Sequence, residues 1–243
     1  MRLTPRLYLV GSGEVGLSDL GDCHVYLLDG GDEYALIDAG CGTERSVAGI
    51  LATLAREGLD LARLRTVILT HWHGDHANGA AFFRERFGCQ IVAPAGERAF
   101  IESGRGTVRA SSVDRPVEDG DTIAVGDLRL VARCVPGHSE ATTAYQVETP
   151  AGRLLFCGDI VFANGIIGLI NHPGSDLAHY RENIGRLGGL GIDALLPGHL
   201  LFTLGNGQRH IDLAIRHLTS GGFVPYSIGQ SAVSFLPPAR FDE

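Results

Sequence analysis

Residues 67–79 read Val-Ile-Leu-Thr-His-Trp-His-Gly-Asp-His-Ala-Asn-Gly, and this is the most informative stretch of the chain. An apolar run typical of a buried strand ends here in four side chains that can bind a metal ion, His71, His73, Asp75 and His76. Because side chains alternate along an extended backbone, His71 and His73 point to the same side, and Asp75 and His76 begin the following helix. Imidazole and carboxylate groups suit Zn, Fe or Mn without any thiolate. The stretch therefore predicts a metal site between a strand and a helix.

Four other apolar runs also end in a histidine or an aspartate, at Asp38, His138, Asp159 and His199. The last three follow a glycine directly, which lets the backbone turn closely at the end of a strand. If these strands share sheets, their ends meet at one edge, where rigid elements can hold a metal site.

The motif His-x-His-x-Asp-His, followed by Gly-His at 137–138, Gly-Asp at 158–159 and Gly-His at 198–199, resembles the metallo-β-lactamase-fold superfamily of metal-dependent hydrolases. The resemblance extends from about Val25 to His199 and implies an α+β fold, an αββα sandwich of two mixed β-sheets flanked by helices. Since no linker, repeat or low-complexity run interrupts the sequence, we expect residues 1–243 to form a single domain.

The same resemblance implies two divalent metal ions, with Zn preferred and Fe or Mn as alternatives. Three side chains would hold the first ion and three the second, with Asp159 bridging both. The implied first set is His71, His73 and His138, and the second is Asp75, His76 and His199. Asp38 would steady the site from behind, as carboxylates commonly do for ligating imidazoles.

Two such ions about 3.5–4 Å apart share a water and lower its pKa from about 15.7 toward 7. The resulting bridging hydroxide would attack the scissile carbonyl, and Asp75 is the candidate catalytic residue to orient the hydroxide or pass on its proton. The implied activity is the hydrolysis of a small ester, thioester or lactone.

A bridging aspartate at position 159 resembles glyoxalase II, lactonases and phosphodiesterases more than the β-lactamases with a comparable second site. Only 44 residues follow His199, so we expect the usual C-terminal glutathione-binding domain of glyoxalase II to be lacking. The main alternative is a mononuclear non-haem iron oxygenase similar to persulfide dioxygenase, which would use His71, His138 and Asp159 alone. Activity as a β-lactamase or a phosphodiesterase is a lesser alternative.

The apolar, glycine-broken stretch after Asp159 is a candidate wall of the substrate pocket, together with the glycine-rich loop at residues 11–21. The candidate pocket residues are Phe162, Ile166, Ile167 and His172. Alternatively, these apolar side chains pack into the core or into a subunit interface. We interpret His24, His179, His210 and His217 as ordinary surface or helix histidines.

The charge balance argues against a nucleic-acid partner. All 20 basic residues are Arg, there are 28 acidic residues, and the net charge is -8, whereas nucleic-acid binding needs a basic face. Five scattered cysteines without a C-x-x-C pair indicate a reducing compartment. The N-terminal apolar run at residues 7–10 is too short for a signal or a membrane span. We therefore expect a cytoplasmic protein that acts on a small molecule, away from membranes, with homo-oligomerisation left open.

Several local predictions accompany this reading. We expect one helix over residues 77–87, a mobile surface connection over residues 103–116 and a helix N-capped by Ser175. The tail from Gly221 is expected to lie along the surface.

Overall fold

Two β-sheets lie face to face in the computed structural model, which describes residues 1–106 and 108–220. The prediction of an αββα sandwich of two mixed sheets is confirmed. The predicted course of the tail falls on residues 221–243, outside the described residues.

The first sheet contains seven strands in the order in which they occur along the chain. They are β1 (Arg2–Thr4), β2 (Leu7–Gly11), β3 (Val25–Asp29), β4 (Tyr34–Ile37), β5 (Leu64–Ile68), β6 (Gln90–Pro94) and β7 (Arg115–Val117). The pairs from β1 to β4 are antiparallel and those from β4 to β7 are parallel. The parallel strands β4 and β5 therefore end at the same edge.

The second sheet contains five strands. They are β8 (Thr122–Val125), β9 (Leu128–Cys134), β10 (Thr143–Thr149), β11 (Gly152–Gly158) and β12 (Ala194–Pro197). Strands β8 to β11 pair antiparallel, and β12 is added parallel to β11. As in the first sheet, the two parallel strands β11 and β12 end side by side.

Six α-helices are found in the described part of the chain. They are α1 (Glu44–Arg56), α2 (Gly74–Ala77), α3 (Ala80–Phe87), α4 (Arg98–Ser103), α5 (Leu177–Asn183) and α6 (Gly207–Thr219). Thr43 is the N-cap of helix α1, because its hydroxyl accepts a hydrogen bond from the Ser46 amide at 3.1 Å. No helix among the described residues combines the length and the apolar character needed to cross a membrane.

Alternation along the strands divides the core into three apolar layers. The inner layer lies between the sheets and includes Leu9 and Ile68 from the first sheet and Leu130 and Phe156 from the second, each fully buried. Burying one such side chain contributes roughly 1.5–3 kcal/mol. The inner layer therefore fixes the distance between the sheets.

The two outer layers hold the helices against the sheets. On the first sheet, Val10 and Leu36 pack in the same cluster as Ile50 of α1 and Phe83 of α3. On the second sheet, the corresponding cluster includes Tyr180 of α5 and Ile211 of α6. These layers leave the strand ends and their connecting loops free to form a site.

Three local predictions were wrong in detail. The helix predicted over residues 77–87 is interrupted, with α2 ending at Ala77 and α3 beginning at Ala80. The connection over residues 103–116 buries Val108 and Val113 in the outer core and ends in strand β7, so it is not simply a surface segment. Asp176 replaces Ser175 as the N-cap of α5, because its carboxylate accepts hydrogen bonds from two amides of the first turn.

The break between α2 and α3 lies at Gly79, whose amide donates to the Gly40 carbonyl at 3.0 Å. A Cβ atom there would lie 1.9 Å from the backbone oxygen of Ala39. Because glycine has no Cβ atom, the segment between α2 and α3 can pack directly on the turn that follows β4.

Replacement of Gly79 by alanine should lower the free energy of unfolding by about 1–3 kcal/mol, because the backbone at Ala39 must move away. Chemical denaturation measures this loss. Gly185 is a matched control, since a Cβ atom there has no neighbour within 4 Å, and G185A should change the stability by less than about 0.5 kcal/mol. Equal effects of G79A and G185A would contradict the steric explanation.

Candidate metal centre

The ends of four strands bring the candidate ligands to one edge of the sandwich. His71 and His73 follow β5, and Asp75 and His76 lie in α2. His138 follows β9, Asp159 follows β11 directly, and His199 follows β12. A backbone hydrogen bond of 2.9 Å from the Thr143 amide to the Thr70 oxygen joins the two sheets at this edge. All seven predicted ligand side chains are thus near one another.

The first group consists of three imidazoles that face one another. His71 Nε2 lies 3.0 Å from His73 Nδ1. His138 Nε2 lies 3.1 Å from His71 Nε2 and 2.9 Å from His73 Nδ1. His71 and His138 are almost fully buried and His73 is mostly buried. The three nitrogen atoms therefore form a small triangle with very little access to bulk water.

The hydrogen bonds behind these rings assign their protons. His138 Nδ1 donates to the Gly168 carbonyl at 2.6 Å, so its Nε2 carries a lone pair. His71 Nδ1 donates to the Thr70 hydroxyl at 3.0 Å, because that hydroxyl itself donates to Asp38. Two lone pairs therefore point into the triangle. A cation between them can satisfy both at once.

The second group contains Asp75, His76 and His199, with Asp159 beside it. His199 Nε2 donates to Asp75 Oδ2 at 3.0 Å. His76 Nε2 lies 3.5 Å from carboxylate oxygens of Asp75 and of Asp159. The donor set here is two imidazoles and two carboxylates.

Asp38 orients imidazoles of both groups. Its Oδ2 atom accepts a hydrogen bond of 2.8 Å from His76 Nδ1, so His76 Nε2 faces away from Asp38. Its Oδ1 atom accepts from the Thr70 amide at 2.8 Å, and Thr70 in turn holds His71. Asp38 adopts φ of 60° directly after β4, a left-handed conformation that aspartate tolerates better than most residues.

Burial and mutual repulsion keep the first group neutral. Burial, together with the neighbouring imidazoles, holds the pKa of His71 well below its ordinary value. Burial also lowers the pKa of His138, and it lowers the pKa of His73 to about 2. Neutral imidazoles keep their lone pairs available at pH 7, as metal ligation requires.

The second group is charged instead. Burial opposes ionisation of Asp75, but the imidazoles of His76 and His199 lower its pKa to about 2. Burial also acts to raise the pKa of Asp159, but the imidazoles of His199 and His76 outweigh it and lower that pKa. Both carboxylates are therefore ionised at neutral pH.

The residues present fit a divalent metal ion in each group. Two buried ligand atoms have no hydrogen-bond partner among the described residues: His76 Nε2 and Asp159 Oδ1. Unsatisfied buried polar atoms are costly, and an ion is one of the partners that can satisfy them. Nitrogen and oxygen donors without thiolate are compatible with Zn, Fe or Mn.

A cavity of about 850 Å³ opens over these groups. Its lining includes Asp75, Asp159 and His199 on the polar side. Apolar side chains complete it, among them Trp72, Val108, Ile170 and Leu200. The cavity therefore brings an apolar surface next to the candidate ligands.

Of the four candidate pocket residues, one lines the cavity and three do not. His172 lines the cavity, with its ring centroid 4.7 Å from that of His73 and 5.2 Å from that of Trp72. Phe162 and Ile167 are almost fully buried. For these two side chains the alternative interpretation, packing in the core, is therefore the correct one. Ile166 is half-buried and lies outside the lining. The glycine-rich loop contributes Glu14 and Gly21 to the cavity.

His24 is not the ordinary surface or helix histidine that we predicted. It is buried, its amide donates to the Gly198 carbonyl at 2.6 Å, and its Nε2 donates to the Leu200 carbonyl at 2.8 Å. Both contacts flank His199. His24 Nδ1 accepts from the Ser12 hydroxyl at 2.9 Å and so connects the glycine-rich loop to the same place. No local pattern in the sequence indicates these distant contacts.

Glu97 is a second residue that sequence reasoning missed. It is fully buried next to the loops of His71 and His138, and burial raises its pKa to about 7. Its position in the sequence, in a short turn after β6, resembles that of an ordinary surface residue. Only the packing of the two sheets reveals it.

Comparison with known proteins supports the assignment of the fold. The sequence model of the family described as the metallo-beta-lactamase superfamily matches residues 18–199. Among solved structures, the subclass B3 metallo-beta-lactamase BJP-1 of Bradyrhizobium japonicum superposes with a TM-score of 0.71 at 24% identity, covering 88% of each chain. The MIM-2 metallo-beta-lactamase gives a TM-score of 0.70 at 23% identity, covering 88% of this chain and 84% of its own.

Two relatives are more similar in sequence. A hydroxyacylglutathione hydrolase of Methylococcus capsulatus is 34% identical over 134 residues, which are 54% of this chain and 48% of the relative. An atrochrysone carboxyl ACP thioesterase of Aspergillus fumigatus is 30% identical over 197 residues, 81% of this chain and 56% of the relative. The chain thus spans about half the length of these curated relatives.

The contacts of His24 lead to a prediction about His199. Replacement of His24 by phenylalanine keeps an aromatic ring but leaves the Leu200 carbonyl and the Ser12 hydroxyl unpaired. We expect the affinity for the more weakly held Zn²⁺ to fall about tenfold, the lower end of such effects, in a competition titration with a chromophoric chelator. H179F, at an exposed histidine of α5, is the control. Equal affinities in the two variants would show that His24 does not position His199.

The raised pKa of Glu97 leads to a prediction about stability and pH. Its pKa lies near 7 in the folded chain against an ordinary value of 4.5, so its contribution to stability is complete below 4.5 and is lost as the pH rises through 7. The free energy of unfolding of the metal-free protein, relative to that of E97Q, should fall by roughly 3 kcal/mol over this interval. Urea denaturation at several pH values measures the difference. A difference that is independent of pH would contradict the assignment.

Proposed function

Because the chain belongs to the metallo-beta-lactamase superfamily, we propose that it is a metal-dependent hydrolase with a dinuclear centre that cleaves a small thioester, ester or lactone. The observation that carries this proposal is the position of Asp159 between the two ligand groups. Its Oδ2 atom is 3.6 Å from His138 Nε2 and 3.7 Å from His199 Nε2, and its Oδ1 atom is 3.5 Å from His76 Nε2. One carboxylate thus faces imidazoles of both groups.

In each group, side chains of this chain would hold one divalent ion. His71, His73 and His138 would hold the first, and Asp75, His76 and His199 the second, with Asp159 shared. Bound ions of this kind lower the pKa of water and polarise a carbonyl oxygen. No serine or cysteine nucleophile is needed for the reaction.

Asp75 would orient the attacking water. It lines the cavity and is partly exposed there, whereas His71, His76 and His138 are buried. Its pKa of about 2 keeps it ionised, so it accepts a hydrogen bond from water and directs a lone pair of that water toward the substrate. A carboxylate with so low a pKa orients a proton better than it stores one.

The apolar part of the cavity supports a substrate with an apolar acyl portion. Trp72, Ile170 and Leu200 line it together with His172. An acyl group against these side chains would exclude water from one side of the scissile carbonyl. His172, beside His73, would contact the substrate near the reacting bond.

Thioesters are the first substrates to consider within this class. One similar protein is named a thioesterase, and others are named hydroxyacylglutathione hydrolases. In a hydroxyacylglutathione the acyl group is bound to sulfur. Since the chain spans about half the length of these relatives, the nature of the thiol portion is left to experiment.

Hydrolysis of a panel of acyl thioesters, esters and lactones by the full chain tests the proposal. We expect thiol release from at least one thioester, its loss with a strong chelator and its recovery on addition of Zn²⁺ or Mn²⁺. Thiol appearance is followed with a colorimetric disulfide reagent. Inactivity toward the whole panel in protein that is loaded with metal would contradict a hydrolase, and uptake of O₂ with a persulfide would establish an oxygenase instead.

Replacement of Asp75 by asparagine should lower kcat by about 10²–10⁴-fold, because the amide orients the attacking water poorly. Metal content measured on the same sample separates this effect from loss of an ion. D127N removes an exposed carboxylate that pairs with Arg6, and it should leave kcat unchanged. A D75N enzyme with full metal content and normal kcat would exclude the role given to Asp75.

A further inference from the structure

Glu97 is a buried carboxylate that connects two ligand-bearing loops. Its side chain is inaccessible to solvent. Oε2 accepts a hydrogen bond of 3.2 Å from the amide of Trp72, the residue between His71 and His73. Oε1 accepts from the Ser139 hydroxyl at 2.7 Å and from the Ala141 amide at 2.6 Å, in the loop that carries His138.

These two loops belong to different sheets. The loop of His71 and His73 leaves β5 of the first sheet, and the loop of His138 leaves β9 of the second. The triangle of three imidazoles therefore exists only while the two sheets keep their relative position at this edge. A single carboxylate holds both loops from behind.

Other contacts at the same edge hold different atoms. The Tyr145 hydroxyl donates to the Leu69 carbonyl at 2.8 Å, and the Thr143 amide donates to the Thr70 carbonyl at 2.9 Å. Both end before the first ligand. The indole nitrogen of Trp72 donates to Glu140 at 2.9 Å and fixes the side chain, whereas Glu97 fixes the backbone between the two ligands.

The chain retains this carboxylate at a cost. Glu97 forms no ion pair with any arginine or histidine in the described part of the chain, and its three partners are neutral donors. A buried charge without a counter-ion destabilises the folded state. A residue kept for stability alone would be replaced by a neutral one at this position with little loss.

We propose that Glu97 is a positioning residue for the three-histidine half of the centre, an inference that rests on the function proposed above. It sets the distance between the pair His71 and His73 on one loop and His138 on the other. It touches neither the substrate nor an ion.

Glutamine at position 97 is the most informative substitution because it keeps the size and removes one acceptor. If the amide oxygen faces Ser139 and Ala141, the NH₂ group meets the Trp72 amide, and two donors oppose each other. The reversed orientation brings the NH₂ group against the Ala141 amide. In either case one of the two loops loses a hydrogen bond to residue 97.

The test is a titration of metal-free full-length wild type and E97Q with Zn²⁺ at pH 8, in competition with a chromophoric chelator. We expect two bound equivalents in the wild type. In E97Q, one of them should bind about 10–100-fold more weakly, the usual effect of removing a group that orients a ligand, and the other should keep its affinity. Titration with Co²⁺ should show an altered visible spectrum for the weakened equivalent alone.

Stability separates positioning from a general structural role. E97Q removes a buried charge that has no counter-ion but leaves one buried amide donor unpaired. Because these two effects oppose each other, the metal-free variant should unfold at about the same denaturant concentration as the wild type at pH 8. Weaker binding of both equivalents together with a less stable metal-free protein would overturn the inference in favour of a structural role.

E33Q is the matched control. Glu33 also accepts a backbone hydrogen bond across the two sheets, from the Gly126 amide at 2.8 Å, but it lies at the β3–β4 turn, away from the ligands. E33Q should leave both affinities unchanged. Two tight equivalents in wild type and in E97Q would overturn the role of Glu97 and leave the proposed function intact, whereas a wild type that binds no metal would overturn both.

Discussion

The candidate centre depends on the hydrogen bonds of the Asp38 carboxylate. One of its oxygens accepts from His76 at 2.8 Å, and the carboxylate also accepts from the hydroxyl of Thr70, which in turn holds His71. One imidazole from each ligand group is therefore oriented by the same carboxylate, with its Nε2 atom directed away from that carboxylate. The left-handed backbone of Asp38 brings the carboxylate to this position directly after β4.

The sandwich provides the rigidity that these contacts need. Parallel pairing of β4 with β5 and of β11 with β12 places four strand ends at one edge, and the inner apolar layer fixes the separation of the sheets. His71 and His73 follow β5, Asp159 follows β11 and His199 follows β12, whereas His138 follows β9. The connecting loops can then vary in sequence and line the cavity without moving the ligands.

Much of the site could be predicted from the sequence, because its signals are local. His71, His73, Asp75 and His76 lie within six consecutive positions, and the more distant ligands each end an apolar run. The two mixed sheets were implied by the resemblance to the metallo-β-lactamase-fold superfamily, which rests on the same local motifs. The division of the helix at Gly79 could not be predicted, since the Gly79 amide donates to the Gly40 carbonyl, far away in the sequence.

The missed residues have the same explanation. His24 and Glu97 occur in unremarkable sequence, and their importance comes from partners about 40 to 175 positions away or on the opposite sheet. Phe162 and Ile167 illustrate the reverse case, because an apolar run beside a site can equally well be core. Apolar character in the sequence does not say which side of a sheet a residue faces.

The most direct test of the dinuclear centre is anomalous diffraction from crystals of protein purified without added metal, recorded on both sides of the zinc, iron and manganese absorption edges. The account predicts two anomalous peaks about 3.5–4 Å apart, one against His71, His73 and His138 and the other against Asp75, His76 and His199, with Asp159 contacting both. A single iron peak bound by His71, His138 and Asp159 alone would contradict it.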